Sequence, residues 1–342
     1  MPQTVRDRDA GRYGGDWSKW PVPLPRDIAP ADEPWADYAG SRYAPWTARI
    51  DYLPVDVGRT TALALHDTPV IMRAGNPPLQ GSQGGSSYGF AYDVFKAGDP
   101  AQMTSVWDLS RGPIFRWGQP IQWPIDRLPL PHGPGIAVHR QGDPAGSSDE
   151  HWRCLDTLRE RLYEVILLRR SGLNRFQTFG QCDWVSGYRG GGRGVASWDL
   201  TLPWTASTQP TGVVAAQVPQ FPMITRWDQI EWGFVDHCGF VSLNNYAPGM
   251  EGWARGSDGI DATHPCKAGT MLRLRRGVLD RYVDPHTRTL LRSWNEHGLI
   301  VGDKNLSGHA SVAMAMDPRI FAAFAGLTLR LTDFEIVQQG AS

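Results

Sequence analysis

Glycine and proline constrain this chain more than any other feature. Of 342 residues, 38 are glycine and 27 proline, about 19% together where ordinary proteins carry roughly 12%. Glycine readily takes the backbone conformations of tight turns, and proline fixes φ while removing a donor. No G-X-Y period accompanies them, and the content stays below the disordered range. The pattern therefore suits many short strands joined by turns. With 41% apolar residues, a chain of this length buries roughly three quarters of its unfolded surface.

The balance of 34 basic against 35 acidic residues, net −1, supplies no basic excess to displace counterions from a nucleic acid. No apolar run reaches the ~20 residues needed to span a bilayer, so membrane insertion is not expected. The start, Met1–Gly15, shows no apolar core of an export signal. Tryptophan is abundant, with 15 copies. Indole fills cores and interfaces, and it also stacks on sugar rings. The four cysteines, Cys154, Cys182, Cys238 and Cys266, are too far apart in sequence for a CxxC metal clip. They read as buried free thiols, with a disulfide as the alternative outside a cell.

Residues 1–45 read as an extended arm rich in proline and carrying Trp17, Trp20 and Trp35. The stretch Trp20–Pro25 is polyproline-like, and the three indoles are its candidate assembly contacts. Residues 46–342 read as a single β domain. Strand-like runs include Ala62–His66, Pro69–Arg73, Phe90–Phe95, Ser105–Leu109, Ile114–Trp117, Ile136–His139, Trp152–Asp156, Leu162–Leu168, Gly194–Leu200, Val235–Leu243, Thr270–Arg275, Leu299–Val301, Ser311–Met316 and Phe334–Val337. Ile121–Gly135 reads as a long proline-rich connection. Two helices are predicted. One is Thr225–Trp232; the other begins at the N-cap Asp284, with Pro285 in its first turn and Gly298 at its left-handed end. The sum is a mainly β chain, a jelly-roll or lectin-like sandwich with one or two short helices and an N-terminal arm.

No motif fixes a reaction. Gly85–Gly89 matches G-x-S-x-G but lacks the strand–helix context of a nucleophile elbow. The loop Arg189–Gly194 has no helix start or P-loop lysine after it. Asp258 and Asp261 have the spacing of a broken calcium loop, which leaves room for a surface Ca2+; no other cofactor or metal is expected. Glu164, Asp199 and Asp236 sit on strand-like runs, where side chains are rigidly aimed. Two such carboxylates across a cleft would suit glycoside cleavage. His151 and His237 are the histidines within strong local patterns.

An ordered series of segments resembles a family of uncharacterised secreted actinobacterial proteins and the related minor tail proteins of phages that infect those hosts. It runs from Pro45–Ile50 and Pro54–Asp56 through Gln119–Pro131, Ser148–His151, Arg161–Glu164 and Ala196–Leu200. It continues with Trp227–Ile230, Gly233–His237, Trp253–Ala254, Gly269–Leu274 and Leu290–Val301. The resemblance implies a jelly-roll β-sandwich at a cell surface, with polysaccharide as its partner. A polar stretch of the family is replaced by the less polar Thr201–Ala216.

The expectation that follows is a structural phage tail-tip protein, assembled in the host cytoplasm and acting outside it as part of the virion. The arm would dock on other tail proteins, homo-oligomerisation remains open, and the jelly roll would bind host-envelope glycan, with Trp184, Trp198 and Trp204 as candidate contacts. One alternative is a glycan hydrolase or lyase using Asp199 and Glu164 as carboxylates and His237 or His151 as proton carrier. Another is a pure assembly protein.

Overall fold

A computed structural model describes residues 45–73, ten strands between 93 and 199, and residues 214–339 apart from 232, 306, 307, 316, 317 and 325. The arm, with Trp17, Trp20 and Trp35, lies outside the described residues, as do Ile136–His139 and the loops 85–89 and 189–194. Contacts divide the chain into two compact units. One holds the strands between 93 and 199, the other holds 45–73 and 214–339. Both are mainly β.

The first helix, α1 (Val57–Leu63), starts where Asp56 accepts the Arg59 amide at 3.0 Å. A 3-10 turn continues it through Ala64–His66. The strand expected at Ala62–His66 is therefore helical. Leu63 alone is buried in α1, so the short apolar run had no second residue to reveal its period. Strand β1 (Pro69–Arg73) follows.

The next unit contains β2 (Asp93–Phe95), β3 (Ala101–Asp108), β4 (Phe115–Arg116), β5 (Gln119–Pro120) and β6 (Arg127–Pro131). It goes on with β7 (Trp152–Asp156), β8 (Arg161–Val165), β9 (Leu168–Gly172), β10 (Arg175–Thr178) and β11 (Val195–Asp199). They form four-stranded sheets ordered β6-β3-β10-β9 and β11-β8-β7-β2, with a β4-β5 ribbon. The expected connection 121–135 thus contains a strand. Its Pro129 and Pro131 are tolerated because β6 is an edge, where a missing N–H breaks no ladder.

In the other unit, α2 (Trp227–Glu231) occupies the predicted position, and β12 (Gly239–Leu243) and β13 (Met271–Leu274) follow. After α3 (Arg276–Leu279) comes α4 (Pro285–Glu296). The local signals place α4 correctly. Asp284 accepts the Thr287 amide at 2.7 Å, and Leu290, Leu291 and Trp294 are fully buried, a face worth roughly 1.5–3 kcal/mol per side chain. Gly298 ends it at φ +78°, where a Cβ would press on Ile50 and lie 2.8 Å from the Leu272 carbonyl oxygen.

The chain closes with β14 (Leu299–Lys304), β15 (Ala310–Ala313), α5 (Pro318–Phe324), β16 (Leu329–Arg330) and β17 (Phe334–Ile336). Helices α1, α3 and α5 exceed the expected one or two. Each is two turns or less, too short for a hydrophobic period to register.

These strands make one mixed sheet ordered β16-β1-β15-β12-β14-β13-β17. Laid flat, seven strands would separate the two edges by about 29 Å. Yet β16 and β17 are joined by the three-residue turn Leu331–Asp333, whose reach is no more than about 15 Å. The sheet must curl, and it forms a nearly closed barrel. Residues 54–60 run beside the β17 edge. The Asp56 amide donates to Ile336 O at 2.8 Å, the Gln338 amide to Pro54 O at 2.8 Å, and the Ile336 amide to Thr60 Oγ1 at 2.9 Å. Parallel pairing of β12 with β14 and of β1 with β15 accompanies burial of consecutive residues such as Leu299, Ile300 and Val301. A register shift between Val241 and Ser242 leaves Gly302 unpaired against the ring of Phe240.

Candidate functional site

The two carboxylates expected to do chemistry do not share a face of their sheet. Glu164 is fully buried on β8, opposite Ala196 and Arg153. Asp199 is opposite Arg161. Directly opposed residues share a face and neighbours along a strand alternate, so 164 and 199 occupy register positions on opposite faces. They are not the facing carboxylates that glycoside cleavage needs. His151, Trp184 and Trp204 lie outside the described residues. Trp198 is described and is 2% exposed, so it offers no surface for a sugar.

His237 belongs to the other compact unit. Its Nδ1 is 2.8 Å from Cys238 O and its Nε2 3.2 Å from Gln229 Oε1. A neutral imidazole has one N–H, and the shorter contact assigns it to Nδ1. Gln229 Oε1 also accepts the Arg226 amide at 3.0 Å, and Ser293 Oγ donates to His237 O at 2.9 Å. Burial lowers the ring to about 4, and the Arg226 charge pushes the same way. With Nδ1 donating to Cys238 O, Nε2 carries a lone pair and makes no hydrogen bond to the Gln229 amide oxygen; the ring is buried and neutral, not a proton carrier at neutral pH.

Asp258 and Asp261 are committed to different partners. Tyr246 OH donates to Asp258 Oδ1, and Lys304 Nζ donates to Asp258 O at 3.0 Å. Asp261 Oδ1 accepts from Thr263 N at 3.0 Å and Thr263 Oγ1 at 2.6 Å. Among the described residues, no group of three or more His, Cys, Asp or Glu side chains could hold a metal ion. Cys238 and Cys266 are free and buried, and burial pushes both thiols upward, away from the reactive thiolate. Cys154 is on β7, and Cys182 is outside the described residues.

Two clusters emerge that local patterns did not reveal. The first is a polar seam between residues 59–66 and loop 251–270. Arg59 donates from Nη1 to Glu251 Oε2 at 3.0 Å and from Nη2 to Glu251 Oε1 at 2.6 Å and Thr270 Oγ1 at 3.0 Å. Its Nε donates to Pro265 O at 2.8 Å. Thr270 Oγ1 donates to Glu251 and accepts the Lys267 amide at 2.8 Å. Farther along, His66 and His264 have ring centroids 4.3 Å apart, and His66 Nδ1 is 3.8 Å from Asp261 Oδ2. His264 Nδ1 accepts the Cys266 amide at 3.0 Å. Burial, then the nearby His66, lowers His264 to about 4. The Thr263 hydroxyl and amide hold Asp261 below the usual carboxylate range.

The second cluster is an aromatic corner where three helices meet. Its indole, Trp227 at the start of α2, is only half-buried. The His286 ring meets it at 5.0 Å and 65°, and the exposed Arg319 guanidinium sits 5.5 Å from its centroid. An indole with guanidinium and imidazole donors beside it can combine apolar contact with hydrogen bonding. Compared with known proteins, the chain matches no family, no curated protein and no solved structure.

Proposed function

We propose that this protein is a structural tail-tip component of a phage of actinobacteria that binds host-envelope glycan without cleaving it. The observation that carries the choice of binding over catalysis is His237. The residue is 5% exposed, donates to Cys238 O and is neutral at physiological pH, so of the two expected proton carriers His237 is not one; His151 lies outside the described residues. The opposite-face registers of Glu164 and Asp199 support the same choice.

In this reading the jelly roll belongs to the unit formed by β2–β11. Its mostly antiparallel pairing supports that assignment. The arm, residues 1–45, docks on neighbouring tail proteins, and the virion carries the protein to the cell surface. Among the described residues the indole suited to a sugar is Trp227, with His286 and Arg319, which places glycan contact on the barrel unit and not on the β2–β11 unit that holds Trp198.

Co-sedimentation with purified actinobacterial cell wall tests the reading. Wild-type protein is retained, and Trp227→Ala weakens retention at least fivefold while far-UV circular dichroism stays unchanged. Absence of wild-type retention overturns glycan binding; full retention by the variant removes Trp227 from the site.

A further inference from the structure

We propose that the apolar strip flanking the seam between α1 and loop 250–260 is the docking surface for the tryptophan-bearing arm of a second copy of this chain. The inference rests on the reading that the arm docks on neighbouring proteins, and it names the neighbour; it does not depend on glycan binding. Of the seven large apolar side chains exposed among the described residues, four flank this seam. On one side are Val57, 70% exposed at the start of α1, and Leu65, 86% exposed in the turn that continues it. On the other are Met250, 54% exposed, and Ile260, 68% exposed. Two contacts tie the sides together. Arg59 pairs with Glu251, the residue after Met250. His66, after Leu65, meets His264 and lies 3.8 Å from Asp261, the residue after Ile260. Val57 and Leu65 are separated by roughly 12–14 Å at helical rise, so the four belong to one surface.

Single exposed apolar residues need no account, but a group of them marks an interaction surface. The polar groups between these four are already matched. Arg59 is engaged by Glu251, Thr270 and the Pro265 carbonyl, and Asp261 by Thr263. A partner therefore has to bring apolar surface and no compensating charge. Residues 1–44 have that chemistry. They hold Trp17, Trp20 and Trp35 and nearly balanced charges, six basic and seven acidic. Tryptophan is among the side chains that most often dominate such contacts.

The path of the chain points the same way. The arm joins the barrel unit at Pro45, and the next residue, Trp46, packs on Trp253 with ring centroids 6.0 Å apart. Trp253 is three residues beyond Met250, so the arm of each copy leaves its barrel unit beside the loop that carries Met250 and Ile260. Residues 1–44 extend to at most about 160 Å, enough to reach the strip of an adjoining copy. In the single chain the four side chains stay exposed, which leaves the strip to a neighbour. Arm and strip are different surfaces, so the contact is heterologous: the arm of one copy goes to the strip of the next.

Sedimentation equilibrium of the full chain tests the proposal. Wild type self-associates. The strip variant Leu65→Asp/Ile260→Asp and the arm variant Trp17→Ala/Trp20→Ala/Trp35→Ala each weaken association at least tenfold. A 1:1 mixture of the two recovers a heterodimer, because one still offers the arm and the other the strip. A monomeric wild type overturns the proposal, as does unchanged association in either variant. No recovery in the mixture overturns it too. So does a wild-type monomer that resists trypsin at Lys19 until the strip is substituted, since the chain would then cover its own strip. If far-UV circular dichroism shows the aspartates misfolded, Leu65→Gln/Ile260→Gln takes their place. Trp227→Ala leaves self-association unchanged, so failure to bind cell wall with association intact refutes the glycan reading alone.

Discussion

Replacing His237 with Asn should flatten the acid side of the stability curve. His237 is buried, and that burial lowers its folded pKa to about 4, against 6.5 for the unfolded chain. Above pH 6.5 both states are neutral and the group contributes no pH dependence. As pH falls from 6.5 towards 4, the unfolded state gains a proton that the folded state resists. Stability is lost across that window, reaching about 3 kcal/mol below pH 4 and about 2.5 kcal/mol at pH 4.5. Asparagine can still donate to Cys238 O but does not titrate. Urea unfolding at pH 7 and pH 4.5 would measure the difference, with the dependence on urea held constant between proteins. Wild type should lose about 2.5 kcal/mol more than His237→Asn over that interval. An identical loss in both would show that His237 is not the neutral, enclosed ring described above. His264 acts in the same direction, because its folded pKa is also about 4, so acid sensitivity should persist in the single variant.

Other perturbations address the barrel. Arg273 is 8% exposed; its Nε donates to Glu335 Oε1 at 2.7 Å, and its Nη1 serves the carbonyls of Ile50, Asp51 and Leu53 at 2.7–3.0 Å. Arg273→Ala leaves these acceptors without their donor and should cost about 3–5 kcal/mol in urea unfolding; a loss below 1 kcal/mol would contradict the clamp. Gly302→Ala drives a methyl group into the Phe240 ring and should cost at least about 1–3 kcal/mol, whereas a neutral effect would place Phe240 elsewhere.

Local chemistry explains what the sequence made legible. Asp284, Pro285 and Gly298 each act within a turn of their helix, so α4 could be read from cap to terminus. Trp152–Asp156 and Pro69–Arg73 emerged as strands at the expected bounds. By contrast, the order of the seven-stranded sheet depends on which distant segments pair. Nothing near Pro69 announces that it lies opposite Arg330. The same holds for the seam, where His66 and His264 meet through the fold and not through spacing. His237 stood out because it lies within a strong local pattern, but that pattern marked a packed corner. Sequence could nominate carboxylates on strands; only register could show that 164 and 199 alternate to different faces.

Saccharide released into solution during prolonged incubation of wild-type protein with purified actinobacterial cell wall tests the choice of adhesion over catalysis most directly. The account predicts protein on the pellet and no new reducing ends or unsaturated sugars in the supernatant. Soluble products that accumulate with time and scale with protein would contradict it.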